Sequence, residues 1–116
     1  VTDQGAREGN YLESSATALF IYTLAKAVNK GYIGKEYIQP TRKAFDGMVK
    51  TFTRLEEDGS YTITNCCAVA GLGGDSKRYR DGSFEYYISE PVIENDPKSV
   101  GSFILAAIEY EKMTDK

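Results

Sequence analysis

The sequence predicts a mostly α-helical fold made of helical hairpins, with one small β-hairpin and one long glycine-rich loop. Three observations carry that prediction. Apolar residues recur at three- and four-residue steps through two long segments, near residues 13–28 and 37–52. Only the short link Gly31-Tyr32-Ile33-Gly34 separates them, which makes the two helices antiparallel neighbours. A third periodic segment opens with Asp96-Pro97, an N-cap residue followed by the residue best suited to the first helical position.

The first helix is expected over about residues 11–30. Ala16, Leu19, Phe20, Thr23, Leu24, Ala27 and Val28 share one stripe. Asn10 serves as N-cap, with Glu13 three residues later in the manner of a capping box. Asn29-Lys30-Gly31 supplies the stop, a cation in the last turn and a glycine able to take positive φ. In the second helix the stripe is Tyr37, Ile38, Thr41, Phe45, Met48, Val49 and Phe52. Pro40 must sit in its first turn or cause a local kink, because deeper it would remove a backbone hydrogen bond.

Tyr61-Thr62-Ile63-Thr64 is β-prone and follows the turn Glu56-Glu57-Asp58-Gly59-Ser60, so a small hairpin across Asp58-Gly59 is expected. Residues 70–83 form a glycine-rich loop with local positive charge, a length that marks a functional or mobile segment. Residues 84–89 form a short helical turn that stops before Pro91. The last helix runs to about Lys112, with Val100, Phe103, Ile104, Ala107 and Ile108 on its stripe. Ile21, Tyr22 and Ala25 in the first helix, and Leu105, Ala106 and Tyr110 in the last, lie off those stripes. A helix apolar on more than one face packs on more than one side, so the chain is expected to belong to a larger helical assembly. A self-contained three-helix domain is the alternative.

The 116 residues fit one segment, 1–116, with no internal boundary. There is no histidine, no tryptophan and only two cysteines. Histidine triads, histidine bases and four-ligand zinc sites are therefore excluded within this chain. A net charge of -3 argues against a nucleic-acid partner. No run approaches the roughly 18 apolar residues of a membrane span. No secretory leader is visible at the start. Cys66 and Cys67 are neighbours, read as partly buried free thiols, which favours a reducing compartment such as the cytoplasm.

Candidate chemistry concentrates in two places. Gly71-Leu72-Gly73-Gly74 lacks the flanking strand, helix and Lys-Ser/Thr of a phosphate cradle and reads as a backbone bend. In Arg80-Asp81-Gly82-Ser83-Phe84-Glu85-Tyr86-Tyr87, the arginine suits a carboxylate and the tyrosines suit sugar rings, a combination fit for an acidic carbohydrate. Equally, Arg80 could pair with Asp81 or Glu85 and the tyrosines could be core. Asn10-Tyr11-Leu12-Glu13-Ser14-Ser15 gathers polar groups at a helix start, where capping is the competing explanation. Glu13, Asp81, Glu85 and Asp96 are the carboxylates from which a glycosidase pair could in principle come.

Taken in order, Asn10-Tyr11-Leu12-Glu13-Ser14-Ser15-Ala16, Gly31-Tyr32-Ile33 and Ala70-Gly71-Leu72-Gly73-Gly74 follow a known pattern. Arg80-Asp81-Gly82-Ser83-Phe84-Glu85-Tyr86-Tyr87-Ile88-Ser89-Glu90-Pro91 and Asn95-Asp96-Pro97-Lys98-Ser99-Val100-Gly101-Ser102-Phe103-Ile104-Leu105-Ala106 continue it. From about Asn10 to Glu111 the chain resembles the C-terminal part of glycoside hydrolase family 105, the unsaturated rhamnogalacturonyl hydrolases. The resemblance implies an (α/α)6 barrel, six helical hairpins in a double ring, of which this chain supplies about the last third. It implies hydration of unsaturated galacturonyl residues on pectin-derived oligosaccharides, without metal or organic cofactor. The family's general-acid aspartate, with nearby histidine and tryptophan, belongs to the first half, so no catalytic residue is expected in this chain. Arg80, Tyr86, Glu13, Ser14 and Ser15 are the expected sugar contacts. The implied partners are an acidic oligosaccharide and either the missing part of the barrel or further copies. The alternative function is a non-catalytic carbohydrate-binding or self-assembling helical module.

Overall fold

A computed structural model describes residues 1–115 of the chain. Among the described residues the elements run α1 (Ser14–Asn29), a 3-10 turn (Lys35–Tyr37), α2 (Ile38–Phe52), β1 (Thr53–Leu55) and β2 (Tyr61–Ile63). They continue with β3 (Cys66–Cys67), α3 (Phe84–Ser89), β4 (Val92–Ile93) and α4 (Pro97–Thr114). The mostly helical prediction holds. The β1–β2 hairpin forms across Asp58-Gly59 as expected, with Leu55 opposite Tyr61. Pro40 lies in the first turn of α2, where its missing N–H costs no helical bond. Gly31 takes φ +71, and the bonds from Gly31 N–H to Val28 O and from Tyr32 N–H to Ala27 O close α1 as a Schellman motif.

Three expectations need correction. Helix α1 starts at Ser14, three residues late, because Glu13 itself is the N-cap while the Asn10 side chain bonds the Val1 amine, Val1 O and Gln4 O. Helix α4 runs two residues beyond Lys112, to Thr114. The larger error concerns which face is buried. In α1 the core residues are Ser14, Ala18, Ile21, Ala25 and Val28, whereas Leu19 and Phe20 of the predicted stripe are 47% and 60% exposed. In α4 the buried residues are Ser99, Ser102, Ala106 and Met113, and Ile104 and Ile108 face outward. Small side chains let α1 and α4 approach closely, and close approach excludes water more completely than bulk does.

The core has two clusters along that seam. Ala18 and Ile21 pack with Met48, Phe52 and Ala106; Ala25 and Val28 pack with Met113, Ile33 and Ile38. The first half of α1 therefore meets the end of α2 and the middle of α4, and its second half meets the start of α2 and the end of α4. Helix α2 is antiparallel to α1, and α4 runs parallel to it. A bond from Asn29 Nδ2 to Glu109 O, at 2.8 Å, locks the far end of the parallel pair. The Phe45 and Tyr110 rings, 3.9 Å apart, join α2 to α4.

A second sheet went unforeseen. Cys66 pairs with Ile93 and Cys67 with Val92, antiparallel; both thiols are free as expected, and buried more deeply than the partial burial expected. Burial pushes the Cys66 thiol up from its ordinary range. Asn65 and Asn95 take positive φ at the ends of these strands, a conformation their short polar side chains tolerate.

The chain is unusually open for its size. It exposes 7593 Å², against about 6,300 Å² for a compact monomer of this mass. Its radius of gyration is 16.0 Å, against about 13 Å for a compact domain of this length. Leu19 and Phe20 of α1 and Ile104, Leu105 and Ile108 of α4 account for part of the excess.

Candidate functional site

The glycine-rich loop is ordered by its own backbone. Gly73 N–H donates to Arg80 O at 2.8 Å and Arg80 N–H returns to Gly73 O at 3.0 Å, closing an antiparallel bridge. Inside it, Asp75 Oδ1 accepts from the N–H groups of Lys77 and Arg78 and shapes the turn. Gly74 has φ +137, and a Cβ there would lie 2.2 Å from Arg78 O, so only glycine fits. Beyond the bridge, Ser83 Oγ accepts from Tyr86 N–H and starts α3.

This arrangement fixes Arg80. Its Nε donates to Gly73 O at 3.2 Å and its guanidinium lies against Gly71. It pairs with neither Asp81 nor Glu85: Asp81 accepts from Ser83 N–H, and Glu85 pairs with Arg7. Val69, Gly74, Asp75, Arg78, Arg80 and Glu90 line an open cavity of about 300 Å³. The Glu90 side chain is only 1% exposed; Arg78 Nη2 reaches its Oε2 at 2.5 Å, and Oε1 is buried without a hydrogen bond. Tyr86, one helical turn before Glu90, has its Oη buried close to the Glu90 carboxylate and the Gly71 backbone. Burial first, and the Glu90 carboxylate second, push the Tyr86 phenol above its ordinary value. Tyr87 takes another role and stacks on Tyr11, ring centres 5.6 Å apart.

The Glu13-Ser14-Ser15 group lies elsewhere. The Glu13 carboxylate accepts from Ser15 N–H, Ser15 Oγ, Ala16 N–H and Cys67 N–H, between 2.7 and 3.2 Å. It thereby caps α1 and ties β3 to it. Ser14 is fully buried, with its N–H bonded to Asn65 O. Glu13 also stands in the wall of a second cavity of about 660 Å³, with Tyr11, Phe20 and Tyr87 among its other lining residues. The two cavities share no lining residue. The structure brings Arg80 and Tyr86 together around Glu90, and sets Glu13, Ser14 and Ser15 apart from them.

Sequence reasoning passed over Arg78 and Glu90. The signals were present: Arg78 stands two residues before Arg80 in the same basic loop, and Glu90 follows Tyr86 at the four-residue spacing that shares a helix face. Among the described residues no group of three or more Cys, Asp or Glu is placed to hold a metal ion.

Solved structures similar to this fold are glycoside hydrolases. A family 105 glycoside hydrolase of C. acetobutylicum is 44% identical with a TM-score of 0.92, over 96% of this chain and 30% of that one. A possible family 105 member from Klebsiella pneumoniae is 26% identical with a TM-score of 0.69, over 95% and 25%. The class is thus glycoside hydrolase, and the resemblance to family 105 holds in three dimensions. The chain belongs to Glycosyl Hydrolase Family 88, whose model matches residues 1–114. A 24.9 kDa protein in the picA locus of Rhizobium radiobacter is 38% identical over 113 residues. The chain spans 48% of that relative, about half its length.

Proposed function

We propose that the chain forms part of an (α/α)6 barrel that hydrates unsaturated galacturonyl residues at the ends of pectin-derived oligosaccharides, including rhamnogalacturonan fragments. The parallel α1–α4 pair with α2 running antiparallel to both is the repeat such a double ring needs. The outward apolar residues of α1 and α4 are the surface its remaining hairpins would cover. A carboxylic acid outside this chain protonates the sugar's double bond, water adds, and the unsaturated residue is released. No cofactor enters that chemistry.

The observation that carries the acidic-sugar reading is Arg80. Its guanidinium is held in place through Nε and has no carboxylate partner among the described residues, yet it lines a cavity. A positioned, uncommitted guanidinium is a carboxylate receptor. Tyr86 is the second proposed sugar contact. Glu13, Ser14 and Ser15 would meet a ligand only through the larger cavity, in whose wall Glu13 stands. The test is loss of double-bond absorbance with an unsaturated rhamnogalacturonan disaccharide, using the intact protein and this chain alone. Turnover by the intact protein only is expected. Turnover by this chain alone overturns the reading that it is catalytically incomplete.

The exposed apolar faces also favour a second reading, in which copies of the chain cover one another as a non-catalytic module. Sedimentation at several concentrations separates the two, since a concentration-independent monomer rules out self-assembly.

A further inference from the structure

The cavity beside the glycine-rich loop contains a half-satisfied carboxylate. Glu90 ends α3 with its side chain almost wholly buried, and a buried carboxylate is costly unless its oxygens meet donors. Oε2 meets Arg78; Oε1 is buried without a hydrogen bond of normal geometry, and the Tyr86 phenol lies close to the same carboxylate. Arg80 lines the same cavity and is not paired with Glu90. A cation and an anion that share a cavity of about 300 Å³ without bonding each other complement a ligand carrying both an acid and a hydrogen donor. A uronate has both, a carboxylate and ring hydroxyls.

We infer that Glu90, with Tyr86, is a specificity-determining residue that accepts a hydrogen bond from a ring hydroxyl of the sugar whose carboxylate Arg80 holds. The inference rests on the acidic-sugar reading and adds a second point of recognition to it. Two points fix orientation where one does not. Glu90 then distinguishes sugars by the presence of one hydroxyl, and Arg80 by the presence of the acid.

The experiment is a binding matrix in the intact protein. Wild type and Glu90→Gln are titrated with D-galacturonate, its monodeoxy derivatives and D-galactose, followed by ligand-observed NMR. The amide keeps the shape of the side chain and removes the charged acceptor. One monodeoxy sugar should bind wild type roughly tenfold more weakly than galacturonate, the loss of one charge-assisted hydrogen bond. That gap should close in Glu90→Gln. If Glu90 is merely structural, or if Oε1 only holds a water, the gap is absent or survives the substitution. Either result overturns the inference and leaves Arg80 standing. Equal wild-type affinity for galacturonate and galactose overturns the acidic-sugar reading and this inference together. Where Glu90→Gln fails to fold, Tyr86→Phe, which loses only a hydroxyl, should narrow the same gap, and an unchanged gap counts against the proposal.

Discussion

Glu13 and Glu90 are both carboxylates at a helix end, and they sit in opposite halves of the molecule's logic. Glu13 accepts from four donors of three different residues and joins α1 to β3. Glu90 is more deeply buried yet has one oxygen without a donor. The same contrast separates the surfaces around them. On the α1–α4 seam, small residues close the packing, and the Ser99 and Ser102 hydroxyls donate to Asp96 O and Lys98 O. On the outward faces apolar side chains lie exposed, and in the loop cavity one oxygen of Glu90 has no donor. A residue type that satisfies itself locally builds the fold; one that is held in place and left unsatisfied awaits something else.

The largest way to test this contrast is Glu13→Ala. It removes the cap of α1 and strands the Cys67 N–H, so we expect about 2–4 kcal/mol of lost stability, the sum of a lost cap and an orphaned donor. Urea unfolding of the intact protein measures it. A loss under about 0.5 kcal/mol, the range of an ordinary surface change, would remove Glu13 from the structural side of the comparison.

Next in size is Ala18→Leu. Ala18 is fully buried in the cluster with Ala106. Extra methylenes there must push α1 from α4, at a cost of about 1–3 kcal/mol. The same enlargement at Ala16, which is exposed on the other face of α1, should cost little in this chain. Equal effects at both positions would mean that the seam is not the tight side.

Much of this was legible in the sequence because the signals were local. Gly31, Pro40, Asp58-Gly59 and Asp96-Pro97 each dictate backbone conformation within a few residues, and the structure follows them. The choice of buried face was not legible. Ser14, Ala18, Ser99, Ser102 and Ala106 carry little hydrophobicity, so a periodicity reading prefers Leu19, Phe20, Ile104 and Ile108, which lie exposed. The β3–β4 pairing joins two-residue strands across some 25 intervening positions, with no local turn to announce it. At the site, residue type pointed to Arg80 and Tyr86, while the burial of Glu90 depends on how α3 folds back under the loop, which no short motif encodes.

The smallest effect in the chain alone is expected for Phe20→Gln, and it sharpens the comparison most. Phe20 is 60% exposed, and glutamine is a good helix former, so the isolated chain should change by no more than about 0.5 kcal/mol. In the intact protein the same substitution should cost about 3 kcal/mol or more, because a ring covered by another helix becomes a polar group without a partner. Thermal unfolding of both forms gives the two numbers. A difference between them places the outward face of α1 against the rest of the protein. A loss of more than about 1 kcal/mol in the isolated chain would show that Phe20 already packs within it, well beyond an ordinary surface effect. Equal, small losses in both would leave the face open in the assembled protein as well, and would turn attention to copies of the chain as what covers it.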